Sequence, residues 1–131
     1  MFDIIMNGSL SIGTDIVEVQ RIDNAIRRFG ESFINRIFGE EEISYCLRSS
    51  RPAIGFSARF AAKEAYSKAL GTGIGNIISW KDIIVSKWPS GEPYIVLSKN
   101  ASHQMSIRGF HDIKLSISHT KTLAHAVVVL M

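Results

Sequence analysis

A single cysteine, Cys46, occurs in the 131 residues. That excludes an internal disulfide framework and a thiolate zinc site, and makes a reducing cytoplasm the simplest compartment. No stretch approaches the ~18 consecutive apolar residues that a membrane-spanning helix requires. The opening Met1-Phe2-Asp3-Ile4-Ile5-Met6 lacks the basic start and apolar run of a secretory leader. The expectation is a soluble protein, neither exported nor held in a membrane. Charge of one sign is scarce as well, since 15 Lys+Arg against 12 Asp+Glu leave +3. Such an excess suits an acidic partner or a phosphate ligand and falls far short of a nucleic-acid tail. Repeats, linkers and low-complexity segments are all missing, so residues 1–131 read as one domain, with 46% hydrophobic residues to build a core.

The pattern along the chain predicts an α+β fold. After a polar break at Asn7-Gly8-Ser9, the run from Leu10 to Val17 alternates as a strand that brings Asp15 near its end. From Val19 to Phe29, Ile22, Ala25, Ile26 and Phe29 recur at helical spacing, and Gly30 stops the helix. Its outer face carries Arg21, Arg27 and Arg28, with Asp23 four residues before Arg27. Short helices are expected over Phe33 to Phe38 and after Gly39, where Glu40, Glu41 and Glu42 complement the helix dipole and read as a capping feature. Phe56 to Leu70, free of internal Gly and Pro, should be the most regular helix. It runs into Gly71-Thr72-Gly73-Ile74-Gly75. Ile83 to Val85 and Tyr94 to Leu97 flank a hairpin turn, a short helix follows from Asn100 to Arg108, and two further strands, Ile113 to Ser118 and Ala124 to Leu130, surround His119-Thr120-Lys121-Thr122. Together these give an antiparallel sheet with helices packed on one face.

Chemistry-bearing residues concentrate on the central helix, which holds Arg59, Lys63, Glu64, Ser67 and Lys68. Positions four apart share a helix face, pairing Arg59 with Lys63 and Glu64 with Lys68. One reading is a solvated face with a stabilising ion pair. The other is a polyphosphate site with a metal ligand, since the same helix enters a glycine loop whose backbone can approach a ligand and turn amides toward an anion. The loop is neither a P-loop, because Gly-Lys-Ser/Thr is missing, nor a dinucleotide fingerprint, because it follows a helix. Asp15 is either a second magnesium ligand or a helix N-cap. His119 either hydrogen-bonds a phosphate or is a structural turn residue, and no Asp/Ser pairing beside it suggests a hydrolytic triad.

Three segments taken together are more specific: Gly13-Thr14-Asp15-Ile16-Val17-Glu18 with Arg21-Ile22; Arg59-Phe60-Ala61-Ala62-Lys63-Glu64-Ala65 with Lys68-Ala69-Leu70-Gly71-Thr72-Gly73-Ile74-Gly75; and Ser116-Ile117-Ser118-His119-Thr120. In order and spacing, from Ile12 to Val129, the chain resembles the bacterial holo-[acyl-carrier-protein] synthases, the short single-domain 4'-phosphopantetheinyl transferases. The resemblance implies magnesium on Asp15 and Glu64, with Lys68 joining them in catalysis. It implies a coenzyme A site made of Arg59, Lys68, Gly71, Thr72, Gly73, Gly75 and His119, with Arg51, Lys63, Ser67 and Thr120 beside them. It also implies a homotrimer with sites between subunits, a role in fatty acid biosynthesis, and acyl carrier protein as the partner. The stripe of Arg21, Arg27 and Arg28 is the expected docking surface for that acidic protein.

The implied reaction is attack of a carrier-protein serine on the pyrophosphate of coenzyme A, with Glu64 or a metal-bound water near Asp15 left open as proton acceptor. A nucleotide phosphotransferase and a non-catalytic binding module are the competing readings. The chain departs from the family in two places. It begins several residues early, so that Met6 is expected as an alternative start and residues 1–8 as a flexible or functionally irrelevant extension, and Glu40 to Ile54 matches only loosely.

Overall fold

The computed structural model describes residues 1–3 and 10–131. The polar break at Asn7-Gly8-Ser9, the alternative start at Met6 and most of the 1–8 extension lie outside the described residues. Strand β1 (Ser11–Glu18) leads into α1 (Val19–Phe29), followed by α2 (Glu31–Ile37), α3 (Glu40–Leu47) and the long α4 (Pro52–Leu70). A 3-10 turn at Trp80–Asp82 precedes β2 (Ile83–Lys87) and β3 (Pro93–Leu97); α5 (Lys99–Ile107), β4 (Ile113–His119) and β5 (Leu123–Leu130) complete the chain. The expected antiparallel sheet forms as two units, a three-stranded one in the order β1-β5-β4 and the β2-β3 hairpin. Asp15 faces Ala126 across the β1-β5 ladder.

Helix α4 is the axis of the fold. It begins four residues before Phe56 because Pro52 occupies its first turn, where the missing N–H would have had no helical partner. Thirteen of its nineteen residues, from Phe56 to Leu70, are buried, so it is covered on nearly all sides. On one side it lies against β1 so closely that a Cβ at Gly13 would fall 2.0 Å from the Ala65 carbonyl oxygen. On another it meets α3, where a Cβ at Gly55 would fall 3.0 Å from Cys46 Sγ. These contacts hold Asp15 beside the C-terminal half of α4 and the α3 side chains beside its N-terminal half. The core around them includes Phe38 and Phe56, with ring centroids 4.8 Å apart, together with Ile22, Tyr66, Ile83 and Leu130. Phe29 departs from the expected apolar stripe of α1. It is 56% exposed, with the Arg28 guanidinium 5.2 Å above its ring.

Alternation in the three-stranded sheet sends Gly13, Asp15 and Val17 inward and Ile12, Thr14 and Ile16 outward. On β5 the buried Ala124, Ala126, Val128 and Leu130 alternate with His125, Val127 and Val129. The outer face thus sets Ile12, Ile16, Val127 and Val129 among Thr14, His125, Lys114, Ser116 and Ser118, and no element covers it among the described residues. Ile12 is 66% and Ile16 63% exposed there.

Candidate functional site

At the N-terminal half of α4, a cavity of about 620 Å³ is bordered by Arg51, Arg59 and His119, with Tyr45, Arg48 and Lys87. The fold gathers these residues from the α3-α4 loop, α4, the end of β4, α3 and β2. Arg59 is only 3% exposed, its Nε has no hydrogen-bond partner, and Nη1 reaches the Gly55 carbonyl at 3.5 Å, the outer limit of a hydrogen bond. No carboxylate pairs with it among the described residues. A buried guanidinium with an idle donor, bordering a cationic cavity, is suited to a phosphate. Arg51 donates from Nη2 to the Lys121 carbonyl at 3.4 Å, which joins the α3-α4 loop to the β4-β5 turn.

Farther along α4, Glu64, Lys68 and Asp15 meet. Lys68 Nζ donates to Asp15 Oδ1 at 3.1 Å and to the Thr14 carbonyl at 3.0 Å. Burial and the charge of Asp15 push the Glu64 carboxyl up, while Lys68 and Arg21 pull it back down. The Asp15 charge thus disfavours ionisation of Glu64, and Lys68 and Arg21 oppose that effect. This arrangement fits a hard dication. No cluster of three or more His, Cys, Asp or Glu suited to a metal occurs among the described residues, and magnesium characteristically takes one or two carboxylates and leaves its other positions to water and phosphate oxygens. Glu64 also borders a recess of about 500 Å³ with Arg36, Gly75, Ser79, Trp80 and Lys81.

Four of the expected ligand contacts take other parts in the structure. Lys63 is fully buried and points away from the cavity. Its ammonium donates to Glu42 Oε1 at 2.7 Å, to the Ile37 carbonyl at 2.7 Å and to the Trp80 carbonyl at 3.2 Å. Glu42 in turn accepts from the Gly39 and Val85 amides, so of the three glutamates it both caps α3 and anchors the core. Ser67 is also fully buried, and its hydroxyl donates to the Glu64 carbonyl at 2.7 Å. In the glycine loop, the Gly71, Thr72 and Gly73 amides all donate to the Ser67 carbonyl and the Gly75 amide to that of Ile78. Those amides close the end of α4, with Gly71 at φ 90°, and are not turned toward an anion. Thr120 Oγ1 accepts from the Thr122 and Leu123 amides and so closes the β4-β5 turn, while the cavity is bordered by His119.

On α1, Arg21, Arg27 and Arg28 are all exposed. Arg27 pairs with Asp23 at 3.2 Å, as their spacing predicts. Arg21 stands closest to the chemistry. Its guanidinium lies 5.9 Å from the Phe60 ring centroid and acts on Glu64. Sequence reasoning missed Tyr45, Arg48 and Lys87 as cavity residues, because they lie outside the recognisable motifs and meet only through the packing of α3 against β2.

The family model of the 4'-phosphopantetheinyl transferase superfamily matches residues 11–128. A holo-[acyl-carrier-protein] synthase of Chlamydia pneumoniae is 47% identical over 120 residues, 92% of this chain and 95% of that protein. The crystal structure of the Helicobacter pylori holo-[acyl-carrier-protein] synthase in complex with coenzyme A superposes with a TM-score of 0.82 at 39% identity, covering 92% of this chain and 99% of that one. The Neisseria meningitidis synthase does so with a TM-score of 0.86 at 34% identity, over 92% and 97%. With its carboxylate pair, its cationic cavity and these likenesses over nearly its full length, the chain belongs to the holo-[acyl-carrier-protein] synthases of the 4'-phosphopantetheinyl transferase superfamily.

Proposed function

We propose that the chain transfers the 4'-phosphopantetheine arm of coenzyme A to a serine of apo acyl carrier protein, releasing adenosine 3',5'-bisphosphate. The observation that carries the reading is the pair of sites on one helix. One is a buried Arg59 without a carboxylate partner, bordering a cationic cavity; the other is Asp15 with Glu64 near it, Lys68 being paired to Asp15. The first matches the 3'-phosphate of the donor and the second its reacting pyrophosphate. The serine oxygen forms a bond to the phosphorus that carries the arm and gives up its proton to Glu64 or to a water near Asp15. The bond from that phosphorus to the bridging oxygen breaks, and the leaving group takes the electron pair.

Most of the catalysis is positioning and charge. Arg59, Arg51 and His119 hold the adenosine end, Lys68 fixes Asp15 and adds positive charge, and Arg21 lies where the carrier protein approaches. Magnesium belongs to this reading, with Asp15 and Glu64 holding it. When bound, it supplies charge neutralisation on the pyrophosphate.

A homotrimer with sites between subunits is part of the same proposal. Five positions separate Arg59 from Glu64, which at ~100° per residue turns their side chains roughly 140° apart around α4. A donor reaching both sites is better served when one copy supplies the cavity and another the carboxylates. The uncovered face with Ile12 and Ile16 gives such copies a surface to share. We further place the chain in the cytoplasm and in fatty acid biosynthesis, with residues 1–131 acting as one domain; no described helix is long and apolar enough to cross a membrane. Incubation with apo acyl carrier protein, coenzyme A and magnesium tests the activity. The carrier's intact mass should rise by one phosphopantetheine, and an unchanged mass with active carrier and donor would refute it.

A further inference from the structure

Arg59 is held in an unusual way for a buried cation. Its guanidinium carbon lies 4.3 Å from the centroid of the Tyr45 ring. Tyr45 is itself fixed by Lys87, whose ammonium donates to the phenol oxygen at 3.1 Å and lies 5.2 Å from the ring centroid. The Lys87 hydrogen bond also lowers the phenol's pKa, opposed by partial burial. Tyr45 and Arg59 border both the 620 Å³ cavity and a neighbouring one of about 800 Å³, and Lys87 borders both as well.

A carboxylate in the place of Tyr45 would orient Arg59 by occupying its N–H donors. An aromatic face orients the guanidinium through its quadrupole and leaves those donors unspent. The partnerless Nε is what that difference predicts. We propose that Tyr45 is a positioning residue that aims Arg59 at the 3'-phosphate of the donor, with Lys87 locking the ring. The proposal rests on the reading that Arg59 binds that phosphate.

The test compares coenzyme A with dephospho-coenzyme A as donors in full-length protein. Arg59→Ala should erase most of the preference for coenzyme A. Tyr45→Leu should raise KM for coenzyme A about five- to thirtyfold, the range of a desolvated cation-π contact, with little change in kcat or in KM for the dephospho donor. Tyr45→Phe keeps the ring and should lose far less. In an Arg59→Ala background Tyr45→Leu should add nothing. Calorimetric titration with adenosine 3',5'-bisphosphate should show the same pattern without turnover.

A Tyr45→Leu defect that is equal for both donors, or that persists beside Arg59→Ala, overturns the positioning role while leaving the Arg59 reading intact. Full donor preference in Arg59→Ala overturns both. Should Tyr45→Leu fail to fold, Lys87→Met at an exposed position carries the same test: a smaller, donor-specific rise that vanishes beside Arg59→Ala supports the proposal, and any other pattern overturns it.

Discussion

Lys63 Nζ lies 2.7 Å from Glu42 Oε1, with both side chains wholly removed from solvent. The pair spans α4 and α3, and its remaining hydrogen-bonding capacity is met by the Ile37 and Trp80 carbonyls and the Gly39 and Val85 amides. Burial pulls the Lys63 pKa down and Glu42 holds it up. A fully satisfied buried pair of this kind fixes how the elements around the cavity meet, whatever its net contribution to stability.

Lys63→Ala removes one partner and leaves the Glu42 charge buried, which should cost on the order of 3 to 5 kcal/mol. Urea unfolding reads the loss. The protein that remains folded should keep its KM for coenzyme A. A stable Lys63→Ala with a strongly raised KM would return Lys63 to the ligand site.

Without magnesium, the raised Glu64 carboxyl makes a definite contribution to stability. Its folded pKa lies above the unfolded value, so the contribution is complete below the unfolded carboxyl range and is lost as pH rises through the folded value. At neutral pH the metal-free protein should therefore melt lower than Glu64→Gln. Magnesium at ~10 times its dissociation constant should stabilise the wild type by about 1.4 kcal/mol, a Tm gain of a few degrees, and should leave Glu64→Gln unmoved. Equal magnesium responses in thermal melts would remove Glu64 from the metal site. Transfer should fail in Glu64→Gln and in Asp15→Ala alike.

The uncovered sheet face gives a separate test of assembly. Ile12→Lys with Ile16→Lys places two charges on positions that are already exposed in one copy, so the fold should tolerate them. Sedimentation should show the wild type as a trimer and the double variant as a monomer with little transfer activity. If the two sediment alike, this face is not the interface.

Much of this was legible in the sequence, and the reasons differ by residue. Alternation in β1 and the 3.6-residue period of α1 are local signals and gave elements at nearly the right bounds. Asp15 and Lys68 lie far apart in the chain; residue chemistry offers Asp15 as a second magnesium ligand, the motif pattern favours that choice, and the structure joins the two because Gly13 lets α4 rest on β1. By motif Lys63 is expected beside the coenzyme A site, whereas the structure pairs it with Glu42, 21 positions away in the chain and invisible to local pattern. The glycine loop misled for a related reason. Glycine permits either an anion nest or a helix cap, and the choice depends on carbonyls such as that of Ser67, which composition does not reveal. Tyr45 and Lys87 left no sequence signal, because α3 and β2 meet only in the folded chain.

The three arginines of α1 differ in their partners, and so in what each would offer an acidic carrier protein. Arg27 already has Asp23 as a partner, which leaves Arg21 and Arg28 as the exposed cations without an acid at salt-bridge distance among the described residues. Arg28 lies over the exposed Phe29, so that end of the helix offers an apolar surface along with its charge. Arg21 lies over Phe60 and acts on Glu64, which puts the other end of the stripe beside the carboxylates. An acidic partner lying along this line would bring its serine to the reacting phosphorus. Attraction between exposed charges acts mainly on association and weakens as salt screens it. Arg21→Glu with Arg28→Glu should therefore raise KM for the carrier protein on the order of tenfold at low salt, and the gap to wild type should narrow at high salt. Direct titration with coenzyme A should give nearly the wild-type affinity. Arg27→Glu, which exchanges an ion pair for a repulsion with Asp23 farther from Glu64, should have the smaller effect on KM. Equal carrier constants for the double variant and the wild type at low salt would show that these arginines serve only the solvated surface.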